Sequence, residues 1–173
     1  MLFRSLSAGT DNGGGSWSLT AAQVSSLTVT PPSHDSSDFT ITVDAVSTDA
    51  PDAGATTQDT IAVTVNPVSD APTLTVSDAS GDEDTAISLS ITGGLVDPSE
   101  TLTYELSGVS GVLSAGTDNG GGSWSLTAAQ VSGLTVTPPS HDSSDFTITV
   151  DAVSTDAPDA GATTQDTIAV TVN

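Results

Sequence analysis

Hydrophobic and polar residues alternate with a period of two along most of this chain. Leu74 and Val76 alternate with Thr and Ser, and so do Ile87, Leu89 and Ile91. Leu102, Tyr104 and Leu106 follow, then Trp124 and Leu126, then Leu134 and Val136. Phe146, Ile148 and Val150 make another set, and Ile168, Val170 and Val172 the last. Alternation of this kind puts one face of a strand inward and a Ser/Thr/Asp face outward. It predicts seven strands between residues 67 and 173, with a short extra one at Val112-Leu113. Gly93-Gly94, Asp118 to Gly122, Pro138-Pro139 and Asp159-Ala160-Gly161 read as breaks between strands. Thr127 with Gln130 has capping-box spacing, which predicts one short helical turn. Seven alternating strands in a unit of this size predict an all-β fold, an immunoglobulin-like Greek-key β-sandwich with Trp124 as a core anchor.

The pattern is repeated. Residues 6–66 and 113–173 align at a constant offset of 107, and only Ser26 and Gly133 differ. That period is too long for a solenoid and suits one small domain. The expected organisation is a tandem repeat: residues 67–173 form one complete sandwich, and residues 1–66 form the truncated C-terminal part of a preceding one. Residues 66–72 are the linker. Met1 to Ser5 precede the repeat and are too short and polar for a signal peptide. Residues 1–66 have no counterpart of residues 67–107, so their strands are expected to leave edges and half a core uncovered. Near-identical repeats then favour domain-swapped self-association through residues 1–66.

Charge narrows the partners. The net charge is −21, with 22 acidic residues against one Lys or Arg, and that one is Arg4. Residues 67–173 have no Lys or Arg, so their carboxylates must be spread apart, protonated or neutralised by cations. Nucleic acid is excluded as a partner because nothing basic meets its phosphates, and no segment suits membrane insertion. The chain has no Cys, so a disulfide frame is absent and a metal is the expected aid to a small core.

Enzyme chemistry finds no foothold. Ser33-His34-Asp35 and Ser140-His141-Asp142 hold triad residue types, but adjacent residues cannot build triad geometry. A carboxylate pair for glycoside cleavage would need an aromatic-lined cleft, and few aromatic residues exist to line one. The DNGGGS run at 118–123 has no Lys for a phosphate and reads as a hairpin loop.

The junction Val65-Asn66-Pro67-Val68-Ser69-Asp70-Ala71-Pro72 resembles the linker of cadherin-like domains. The segments GDEDTAISLSI (81–91), DPSETLTYELSG (97–108), LSAGTDNGGGSWSLTAAQVSGLTVTPP (113–139) and DFTITVDAVSTDA (145–157) resemble repeats of giant bacterial adhesins secreted by type I systems, the RTX adhesins. The resemblance implies a cadherin-like sandwich outside the cell, on a bacterial surface, with neighbouring repeats of the same chain as partners. It implies Ca2+ between successive domains, bound by oxygen ligands. For the junction it points to Asp35 and Asp38 from the lower domain, to Asn66, the Val68 carbonyl and Asp70 from the linker, and to Asp97, Glu100 and Asp156 from the next domain. At the far end of that domain it points to Asp82, Glu83 and Asp84 with Asp142 and Asp145. The acid-rich loop of the family is reduced here to Asp97-Pro98-Ser99-Glu100, and Gly121 stands where an acid is common. The implied function is a structural extender, a rod stiffened by calcium that projects a distal binding domain for adhesion or biofilm formation. The alternative is a glycan- or protein-binding sandwich module.

Overall fold

The computed structural model describes residues 5–49, 51 and 54–173. Met1 to Arg4 of the leader lie outside the described residues. The chain divides into two compact units, Met1–Pro67 and Val68–Asn173.

In the first unit, β1 (Ser5–Leu6), β2 (Thr10–Gly13), β3 (Ser16–Ser18), the helical turn α1 (Ala21–Val24) and β4 (Val29–Thr30) lead to the long strands β5 (Phe39–Ser47) and β6 (Ala55–Val63). They pair antiparallel as β1–β4, β2–β3 and β5–β6. None of the described residues of this unit is fully buried.

In the second unit the chain runs through β7 (Thr73–Ser77), β8 (Ala79–Gly81), β9 (Ile87–Ser88), β10 (Ser90–Gly94), β11 (Thr101–Ser107) and β12 (Val112–Leu113). It continues through β13 (Thr117–Gly120), β14 (Ser123–Thr127), β15 (Thr135–Thr137), β16 (Phe146–Thr155) and β17 (Ala162–Val172). One layer is the six-stranded sheet β13-β14-β11-β16-β17-β8. The other combines β12-β15-β9 with β10-β7. All pairs are antiparallel except β8 with β17. The fold is an all-β sandwich.

The inward positions are those the alternation marks. Along β16, Ile148, Val150, Ala152 and Ser154 are buried in register, and Ile168, Val170 and Val172 match them on β17. Tyr104 and Leu106 on β11, and Trp124 and Leu126 on β14, close the core from the same sheet. Ile87, Leu89, Ile91, Leu134 and Val136 supply the opposite layer. The outward Asp151 meets Gln165 across the β16–β17 pair, accepting its side-chain amide at 2.7 Å.

The structure revises the expected elements at four places. Gly93 and Gly94 lie inside β10 and do not break it. A Cβ at Gly93 would run into the Tyr104 hydroxyl, so the glycine serves close packing of β10 on β11. The strand expected over Ile87–Ile91 is interrupted at Leu89, whose amide donates to the Leu134 carbonyl at 2.9 Å. The strand entering the unit switches layers at Asp78, pairing with β10 before it and β17 after it. The Asp78 carboxylate accepts the Ala169 amide at 2.9 Å, so the crossing stays hydrogen-bonded. Finally, Ala128 to Val131 form a turn without helix, while the equivalent Ala21–Val24 form α1. Both keep the capping bond from the Thr amide to the Gln side-chain oxygen, at 2.8 Å in each.

The DNGGGS segment forms the β13–β14 hairpin with a register shift between Asp118 and Gly120. Trp124 is buried, which withdraws it from any exposed stacking role.

Candidate metal centre

Thr101, the first residue of β11, lies opposite Thr155, the last of β16. The loop before β11 and the loop after β16 therefore share one end of the second unit. The segment entering β7 passes the same end, where the Pro72 carbonyl accepts the Thr164 hydroxyl at 2.6 Å.

Three loops meet there through a hydrogen-bond network. Asp97 folds its own loop: its carboxylate accepts the Ser99 amide at 2.9 Å and the Ser99 hydroxyl at 2.8 Å. The Asp97 carbonyl accepts the Glu100 amide at 3.2 Å. Glu100 ties this loop to the entering segment, accepting the Asp70 amide at 2.7 Å on Oε1. Its Oε2 accepts the Ser154 hydroxyl in a short hydrogen bond. The Asp156 amide donates to Ser69 Oγ at 2.9 Å, and the Ser69 amide donates to Asp159 Oδ2 at 2.8 Å. Asp159 also accepts the Ala160 amide on Oδ1 at 2.8 Å. The amide of Ser69, then that of Ala160, hold the Asp159 carboxyl below the ordinary carboxylate range.

Burial separates these acids. Asp97 and Glu100 are 4% and 6% exposed, values unusual for ionisable side chains. Asp70 and Asp156 are half-buried, and Asp159 is exposed. A carboxylate oxygen of Asp70 lies within 4.8 Å of one of Asp97. Two carboxylates this close can face one bound cation. The donor set, all hard oxygen and clustered on short loops, suits Ca2+ by its chemistry. The structure thus brings together Asp70, Asp97, Glu100 and Asp156 within the second unit; the Val68 side chain there is exposed.

The other end of the same unit holds Asp82, Glu83, Asp84, Asp142 and Asp145. Asp84 and His141 both have left-handed backbone, with φ of 61 and 59. Asp84 accepts the His141 amide at 3.0 Å, and its other oxygen lies 3.3 Å from His141 Nδ1. Asp142 accepts the Ser144 amide at 3.0 Å, and Ser144, first by its hydroxyl, holds the Asp142 carboxyl low. Asp145 accepts the Val172 amide at 2.9 Å. The Glu83 amide donates to the Asn173 carbonyl at 3.0 Å. The Asp82 carbonyl accepts the Thr85 hydroxyl at 2.7 Å while its side chain is exposed. Asp84 is thereby joined to the Asp142 loop, and Asp145 is tied to the edge of β17.

The first unit repeats two of these bonds. Asp35 accepts the Ser37 amide at 3.0 Å, and Asp38 accepts the Val65 amide at 2.8 Å. Asn66 in the same unit is exposed.

Sequence reasoning missed Ser69, Ser154 and Asp159. Ser154 had a signal, since it continues the inward register of Ile148, Val150 and Ala152 with a hydroxyl. Asp159 was hidden in a turn that Asp, Ala and Gly explain by backbone preference alone.

No protein-family model matches the sequence, and no curated protein is similar to it. Among solved structures the chain is similar to the protocadherin gammaB7 EC3-6 cis-dimer, with a TM-score of 0.37 and 14% identity. That likeness covers 99% of this chain, which spans 40% of the protocadherin chain. Among the described residues no helix is long and apolar enough to cross a membrane.

Proposed function

We propose that the chain is part of a structural extender, a run of sandwich repeats in a large bacterial surface adhesin exported by a type I system. Ca2+ stiffens the run, and the rod projects a distal binding domain. The observation that carries this reading is the pair of buried carboxylates, Asp97 and Glu100, with Asp70 beside them, in a unit without Lys or Arg. Burying carboxylate charge is costly unless it is neutralised, and a divalent cation neutralises two at once. In the proposed site Asp70 and Asp97 face the ion, while Glu100 holds the entering segment in place and offers its remaining lone pairs. Asn66, Asp35 and Asp38 are the ligands proposed from the preceding repeat. The end bearing Glu83, Asp84 and Asp142 is the proposed docking end for a following repeat.

A cation that binds only the folded state adds stability by mass action. A chain kept unfolded where calcium is scarce would then fold where calcium is abundant. The absence of Cys agrees with that route. With Trp124 buried, the second unit lacks the aromatic platform that a glycan-binding module would use.

The test is thermal unfolding and small-angle scattering, each with EDTA and with millimolar Ca2+. Calcium should raise the melting temperature and lengthen the maximum dimension. If neither quantity responds, calcium leaves the reading; if only the first responds, the rod does.

A further inference from the structure

Ser69, Asp156 and Asp159 close a ring of hydrogen bonds at the end of the second unit that bears Asp97. The Ser69 amide donates to Asp159 Oδ2 at 2.8 Å, and the Asp159 amide donates to the Asp156 carbonyl at 2.8 Å. The Asp156 amide completes the ring on Ser69 Oγ at 2.9 Å. The next amide of the entering segment, that of Asp70, donates to Glu100 Oε1 at 2.7 Å. Successive amides are thus held by carboxylates from different loops. Further on, the Pro72 carbonyl is held by the Thr164 hydroxyl at 2.6 Å. These anchors fix the backbone on both sides of the Asp70 side chain, whose carboxylate lies within 4.8 Å of that of Asp97.

We infer that Asp159 is a positioning residue for the cation site: it docks the entering segment on the second unit before any ion arrives, and so presents Asp70 beside Asp97 ready to bind. The inference rests on the calcium reading proposed above and adds to it a residue outside the ligand set. Asp159 is exposed, and its oxygens are taken by the amides of Ser69 and Ala160. It therefore acts through Ser69 and not as a ligand. An ion that must order a loose segment loses part of its binding free energy to that ordering, and a segment already docked spares the loss. The bond is well suited to the task, because an amide that donates to an ionised acceptor makes a stronger hydrogen bond than one that donates to a neutral oxygen. The Ser69 amide also keeps the Asp159 carboxyl ionised to lower pH than an ordinary carboxylate.

The test is amide-resolved NMR on the full chain, in which Ser69 and Asp70 lie outside the repeated segments and have no counterpart in the other copy. In EDTA the amides of Ser69 and Asp70 should be protected from hydrogen exchange in the parent, and about 10-fold less so in Asp159→Ala. Unprotected amides in the parent overturn the inference. Calcium is then titrated while the Asp70 amide signal is followed. Asp159→Ala should raise the midpoint by about 10-fold or more, as the loss of a group that orients a ligand does. Asp159→Asn removes the charge but keeps an oxygen for the Ser69 amide, and should recover most of the affinity. Equal weakening by both variants would reduce Asp159 to a remote negative charge and overturn the inference, as would an unchanged midpoint for Asp159→Ala. Neither result touches the calcium reading itself. A parent with protected amides whose Asp70 signal ignores calcium overturns that reading, and the role of Asp159 toward the ion with it.

Discussion

Glu100 accepts the backbone amide of Asp70, 2.7 Å away, and so fastens the segment entering the second unit to the loop that starts β11. The other oxygen of the same carboxylate takes the buried hydroxyl of Ser154. One side chain thus joins three stretches of chain that lie far apart in sequence.

Glu100→Ala leaves the buried Ser154 hydroxyl without that acceptor, at a cost of about 1–3 kcal/mol. Urea unfolding in EDTA measures it, and an unchanged midpoint would show the bond to be dispensable. Glu100→Gln keeps an acceptor and removes the charge. It should be milder in EDTA and gain less from added calcium. An equal calcium-induced rise in melting temperature for Glu100→Gln and the parent would take Glu100 out of the ligand set.

The same substitution in the two copies should have different consequences. Ile168→Ala removes a fully buried side chain and should cost about 2–5 kcal/mol. Ile61→Ala acts on an exposed counterpart and should stay within about 0.5 kcal/mol. Denaturant unfolding of the two variants side by side checks the contrast. Equal costs would mean that β6 has a covered face in solution.

Gly93→Ala should destabilise the second unit by about 1–3 kcal/mol, because its Cβ meets the Tyr104 hydroxyl and the Thr73 carbonyl. Adding Tyr104→Phe removes the first collision and should recover part of the loss. A double-mutant cycle by thermal unfolding reads the coupling. Strict additivity would show that β10 and β11 relax apart.

The amides of Ser69, then of Ala160, hold the Asp159 carboxyl below the ordinary carboxylate range because they bind its charged form. A carboxyl with a depressed folded-state pKa contributes stability that is complete above its unfolded value. That stability is lost as pH falls through the folded one. Carbon-13 carboxyl titration should therefore place Asp159 below the range of a free Asp carboxyl, and Asp142, held low by Ser144, should behave alike. Asp159→Asn should flatten the acid limb of the stability curve. A midpoint no lower than that of a free Asp carboxyl would mean that the Ser69 amide has let go of the carboxylate.

Much of the sandwich was legible in the chain. Every inward position of β11, β14, β16 and β17 named above except Ser154 falls on an alternating apolar residue, because a pleated strand must turn successive side chains to opposite faces. The exceptions have specific causes. Gly93 reads as a breaker, yet in β10 it makes room for Tyr104 from the facing layer. The switch of layers at Asp78 leaves no mark in the alternation, since β7 and β8 each follow it separately. Ser154 is polar in an apolar register, and only the arrival of Glu100 explains it.

The acids divide in the same way. Asp145 and Asp38 sit just before a strand in both copies and bind the same amide in both, a local arrangement set by nearby residues and the strand pairing. Asp70, Asp97, Glu100 and Asp156 belong to three loops, and sequence spacing says nothing about their meeting.

By itself the sequence determined the strands, the 107-residue repeat and a charge balance with almost no cations. Tertiary structure decided which layer covers each inward residue of the complete copy. Val150 and Val43 have the same neighbours along the chain and the same propensity. Only Val150 has β11 beside it in the sheet and a second layer facing it, and removing apolar surface from water takes such a second surface.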